Sequence, residues 1–103
     1  MSYSIHITPR AEYQLENLVS YLLVQFQSKQ GASHLLDSID HIYARMEENP
    51  FQFPESDDEY LKSKRYREAK LTGMKYKIIF KVEDQDVYIL GIFHDGENYL
   101  TKM

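Results

Sequence analysis

Between residues 62 and 81 the chain carries Lys62, Lys64, Arg65, Arg67, Lys70, Lys75, Lys77 and Lys81 against a single acid, Glu68. That run has a local charge of +7 inside a chain whose net charge is −4, so the rest of the molecule is strongly acidic. A segregated basic segment steers a polyanion toward one face. Within it, Arg67 offers a planar fork that can hold two phosphate oxygens at once, while Lys75 and Lys77 are flexible point charges. The competing role for Lys75, Lys77 and Lys81 is to keep a two-sided strand soluble and to guard it against edge pairing. His94 is an imidazole, the side chain suited to moving protons near neutrality. His34 and His41 lie seven residues apart on one helical face, but without a third ligand they make a poor metal site, and no metal is expected. The chain contains no cysteine, which excludes a disulfide framework, a zinc-thiolate site and a thiol nucleophile.

The elements that must position these groups follow from periodicity. Tyr3 to Ile7 alternates apolar and polar residues as a half-buried strand does. Thr8 and Pro9 read as N-cap and first residue of a helix. Ala11, Leu15, Leu18, Leu22 and Phe26 then mark one helical face running to about Ser28. Gly31 breaks that pattern. A second helix beginning near Ala32 buries Leu35, Leu36, Ile39, Ile42, Tyr43 and Met46 and ends at Asn49-Pro50. Tyr13, Tyr21 and Tyr43 read as amphipathic packing residues. Residues 50–61 form an acidic loop, after which the period becomes two. Strands are expected over 66–71, 75–82 and 87–94, with turns at Thr72-Gly73 and 83–86. Tyr76, Ile78, Phe80 and Val82 should face the helices, leaving Lys75, Lys77, Ile79 and Lys81 on the open side. The result is one α+β domain over 1–103, ordered β-α-α-β-β-β, with a helical hairpin on one face of a small antiparallel sheet.

No apolar stretch approaches the roughly 20 residues that span a bilayer. Met1 to Pro9 is too short and polar for a secretory signal, so the expected location is cytoplasmic.

This order of elements, with Asn49-Pro50-Phe51, Tyr66-Arg67, the strand from Lys75 to Phe80 and the strand from Val87 to His94, resembles the RelE/ParE superfamily of toxins from type II toxin–antitoxin modules. The similarity covers nearly the whole chain. It implies a growth-arresting toxin held inactive by a cognate antitoxin, with no cofactor. RelE-like and YoeB-like branches cut mRNA on the ribosome without a metal, by 2′-hydroxyl attack on phosphate. The ParE-like branch inhibits DNA gyrase. A degenerate toxin that only binds its antitoxin is the third possibility. The sequence reading leans toward the endoribonuclease, with ribosome and mRNA as partners and gyrase as the alternative.

The resemblance also suggests roles. Cleavage needs a base, cations on the developing phosphorane and an acid for the leaving oxygen. His94 falls where YoeB-like toxins use a histidine for proton transfer. Glu55, after Pro54, falls in the loop where they carry a glutamate, with Glu68 as the alternative base. Arg67 and Lys77 would stabilise charge, Lys77 standing where the nuclease branches have an arginine. Tyr99 is the candidate terminal phenol of RelE-like toxins. Lys62, Lys64, Arg65, Lys70, Lys75 and Lys81 would hold RNA.

Overall fold

Thr8 and Pro9 set the first junction. The Thr8 hydroxyl accepts the Ala11 N–H at 3.3 Å, and proline takes the first helical position, where no amide is needed. The same hydroxyl donates to the Ile89 carbonyl at 2.6 Å, so the cap is fastened to the sheet as well as to the helix. The computed structural model describes residues 2–94, and this junction divides strand β1 (Ser4–Ile7) from helix α1 (Pro9–Val24).

The helical hairpin forms as expected, but its break is earlier. Helix α1 ends at Val24, and α2 (Lys29–Glu48) begins before Gly31. The cause is Ser28, whose Oγ accepts the Gly31 N–H at 2.9 Å and caps α2, while Gln27 turns the chain with φ +49°. Gly31 therefore lies inside the first turn of α2. A Cβ there would meet Ser28 Oγ at 2.8 Å, so the capping hydroxyl takes the space a side chain would need. Phe26, expected on the buried face of α1, falls in the turn and is 62% exposed. Helix α2 does bury Ala32, Leu35, Ile39, Ile42 and Met46, while Leu36 stays exposed. Asn49 closes it with an N–H to Arg45 O.

The acidic loop is more structured than its composition suggests. Pro50–Gln52 is a 3-10 turn capped by the Asn49 side chain, and Glu59–Ser63 is a short helix, α3, capped by Asp58. Strands β2 (Arg67–Lys70), β3 (Tyr76–Glu83) and β4 (Asp86–His94) follow. The sheet order is β1-β4-β3-β2, with β2, β3 and β4 antiparallel and β1 parallel to β4. The all-antiparallel expectation is thus corrected to a mixed sheet, because alternation marks a strand without naming its neighbour.

Ile78 and Phe80 of β3 with Val87, Ile89 and Ile92 of β4 pack under the helices, joined by Phe53, whose ring meets Phe80 edge-on at 5.9 Å. The other face is not open. Ile79 and Phe93 are fully buried there beneath Leu61 of α3. A register shift between Ile79 and Phe80 leaves Leu90 as the extra residue of β4. Gln14 of α1 reaches this irregular stretch, its Oε1 accepting the Ile92 N–H at 2.9 Å.

Tyr43 of α2 packs against the main core with its hydroxyl buried and, among the described residues, unbonded. Burial, and secondarily the Asp40 carboxylate, push its pKa up to about 12. The unfolded chain ionises its phenols near 10, so this contribution to stability is whole below that pH and is lost as pH rises toward 12. Tyr43→Phe should be neutral or stabilising by about 1 kcal/mol at pH 7, since it removes an unpaired hydroxyl. Urea unfolding between about pH 9 and pH 12 should show the wild type losing about 2 kcal/mol more than the variant.

Candidate functional site

The register of the sheet decides which candidate groups can meet. Arg67 lies opposite Phe80, and His94 opposite Tyr76, on the helix-facing side of the sheet. Four residues along β3 and two strand spacings separate them, about 16 Å between Cα atoms, and the packed Ile78 and Ile92 lie between. Lys77 neighbours Tyr76 in sequence and so points to the opposite face. Arg67, His94 and Lys77 therefore occupy three separate surroundings.

Arg67 is half-buried beside the 3-10 turn. It donates through Nη1 to the Phe53 carbonyl at 2.7 Å, and its guanidinium lies 4.9 Å above the Phe51 ring. Residues 54–56 cover the outer edge of β2: Glu68 N–H donates to Pro54 O, Ser56 N–H donates to Tyr66 O, and Glu55 forms an antiparallel bridge with Arg67. This brings Glu55, Arg65 and Arg67 together around a cleft of about 420 Å³, closed by Phe51 and Val82. Glu55, the first candidate base, thus shares one cleft with two of the cations.

Lys77 faces Glu68 instead. Its Nζ is 3.4 Å from Glu68 Oε2, with the two side chains 13% and 4% exposed, and Ser56 donates to the same oxygen at 3.1 Å. The Ser56 hydroxyl also accepts the Asp58 N–H, so the pair holds the loop entering α3 against the sheet. The expectation that Lys77 stands on an open face is thus corrected: its side chain is 13% exposed and paired with Glu68.

His94 ends β4 with its ring edge-on to Tyr76 at 5.4 Å. It lines a cleft of about 370 Å³ with Gln14, Asn17, Leu18, Tyr21 and Ile92. Tyr99 lies outside the described residues.

The remaining cations scatter. Lys62 is exposed on α3, Lys64 sits 5.2 Å from the Tyr60 ring, and Lys75 is exposed before β3. Lys81 bonds Glu83 at 3.0 Å, and this hydrogen bond raises its pKa against the opposing effect of desolvation. Its ammonium is also 5.4 Å from the Tyr88 ring, which stacks on His6; His6 in turn bonds Asp86 at 2.8 Å. Lys70 joins His34, His41 and Arg45 around a shallow cleft, where His34 Nε2 donates to the Thr72 carbonyl at 3.1 Å. Among the described residues no cluster of three His, Cys, Asp or Glu side chains could hold a metal.

Helix α1 carries a feature that periodicity did not single out. Tyr13, Tyr21 and Val24 are 66%, 47% and 69% exposed, and Phe26 meets Tyr21 edge-on at 5.1 Å. Tyr13 and Tyr21 are thus not core residues. With Val24 they form a second stripe, at spacings of eight and three, beside the Leu15, Leu18 and Leu22 stripe that packs inward. The signal was present as two apolar faces on a helix that needs only one.

Breaking the Lys77–Glu68 pair has a defined cost. Lys77→Met should lower the unfolding free energy by about 3–5 kcal/mol, because a buried carboxylate loses its countercharge. Adding Glu68→Leu should recover more than half of that, measured as a double-mutant cycle in urea.

The family model described as the ParE toxin of the type II toxin–antitoxin system parDE matches residues 5–99. A chain in the solved structure of the chromosomal ParDE TA system from P. aeruginosa superposes with a TM-score of 0.71 at 17% identity. That likeness covers 90% of this chain and 96% of the other, and it concerns the fold. No curated protein matches the sequence.

Proposed function

The chain belongs to the ParE toxin family of type II toxin–antitoxin systems, and we propose that it arrests growth by binding a protein target, DNA gyrase, rather than by cutting mRNA. It is the toxin half of such a module, and a cognate antitoxin is its partner. The observation that carries the proposal is the separation just described. Cleavage of RNA requires base, cation and acid within reach of one phosphate. Arg67 and His94 are instead parted by packed core, and Lys77 is engaged with Glu68 on the other face. Glu55 and Arg67 do share a cleft, but His94 lies far from it.

A protein-binding mechanism needs no such convergence. It needs surface that water leaves readily, and the aromatic stripe of α1 supplies it. The ParE branch that this chain falls in is the one associated with gyrase, which favours that target. No helix among the described residues is long and apolar enough to cross a membrane. A cytoplasmic location accords with that target.

Two assays on the purified protein decide between the mechanisms. Gyrase supercoiling of relaxed plasmid should be inhibited in a dose-dependent way. Primer extension on mRNA from a cell-free translation reaction should show no new 5′ ends. New ends inside codons on translating ribosomes, with supercoiling untouched, would overturn the proposal and restore mRNA cleavage.

A further inference from the structure

Arg67 is a half-buried cation whose fixed partners are neutral. One Nη donates to a backbone carbonyl and its face rests on Phe51, yet among the described residues neither Arg67 nor Arg65 has a carboxylate within ion-pairing distance. Glu55 lines the same cleft and is bridged to Arg67 through the backbone, without an ion pair between the side chains. A guanidinium taken partly out of water, held in one orientation and left without a counter-anion is prepared for a ligand that supplies one. Arg65 lines the cleft from the left-handed position, φ +60°, that closes α3, where its N–H donates to Lys62 O and the Tyr66 N–H donates to Leu61 O.

We propose that this cleft binds the carboxylate of an acidic residue presented by a protein partner, with Arg65 and Arg67 as its cationic walls and Phe51 and Val82 taking an adjoining apolar side chain. The inference rests on the protein-binding reading above and names the chemistry of the segment that is recognised. A planar carboxylate matches the remaining donors of the Arg67 fork. The walls favour an acidic peptide over nucleic acid for two reasons. Phe51 is 51% exposed, so part of the cleft is apolar. Glu55 adds one negative charge, and the chain is −4 overall, which opposes a polyanion more than it opposes a single carboxylate.

The test uses the full chain, 15N-labelled, with the arginine Nε–Hε resonances of Arg65 and Arg67 as reporters. The probe is acetyl-Leu-Asp-Leu-amide, with acetyl-Leu-Asn-Leu-amide as the uncharged control and a six-residue oligothymidylate as the nucleic-acid arm. The aspartyl peptide should shift both arginine resonances saturably, and the asparaginyl peptide should not. Arg67→Gln should weaken binding at least fivefold with circular dichroism unchanged, and Arg65→Gln serves as the second variant should that protein misfold. Glu55→Gln should tighten binding about two- to threefold, because it removes a like charge from the cleft. A purely structural role for Glu55 would not produce that gain. Unmoved arginine resonances, or oligothymidylate binding more tightly than the aspartyl peptide, would overturn the proposal. Peptide binding with no inhibition of gyrase would instead sink the target reading and leave the cleft standing. Gyrase inhibition without peptide binding would do the reverse.

Discussion

The centre of the sheet is filled from both sides, and the rest of the structure is arranged around that constraint. Ile78 and Phe80 lie under the helical hairpin, while Ile79 and Phe93 lie under Leu61 of α3. A strand buried on both faces has no room for a desolvated charge unless a partner comes with it. Charged side chains are therefore driven to the margins of β3 and its neighbours. Arg67 goes to the edge by the 3-10 turn, and Lys77 turns inward beside Glu68.

The loop from Pro50 to Ser63 is what makes the second buried face possible. Its proline-initiated turn places Phe53 against Phe80, and its residues 54–56 pair with the free edge of β2. Ser56 then fastens the loop to the Glu68–Lys77 pair, and Asp58 caps the helix that covers Ile79. An exposed sheet edge invites pairing with other chains. Here the edge is occupied by the protein's own loop, and the same pairing brings Glu55 beside the two arginines. Edge protection and cleft formation are one event.

The contact mechanism proposed above places demands on the surface that catalysis would not. The inward stripe of α1 is only partly buried, apart from Ala11, and the outward stripe stays in water. That arrangement lowers what α1 contributes to folding and keeps apolar area available for a partner. The fold bears this because α2 and the β3–β4 hairpin supply most of the fully buried residues.

Much of this was legible in the residues. The Thr8-Pro9 start, the Asn49-Pro50 stop, the α2 stripe and the alternation of β3 are local signals, written at spacings of two or of three and four, and each formed where it was read. The toxin superfamily was likewise visible in the order of these elements. What depended on through-space partners was not. Whether Ser28 or Gly31 would divide the helices turned on which group captured a particular N–H. The parallel pairing of β1, the α3 cover and the burial of Lys77 depended on contacts between residues far apart in sequence. The candidate site shows the same division. The residue types were evident, but Glu55 and Arg67 meet, and His94 does not join them, because of strand register. Local sequence determined the elements, since propensity and capping act within a few residues. Only the tertiary structure decided which side chains share a face and which charges lose their water, because register and burial belong to the packed molecule as a whole.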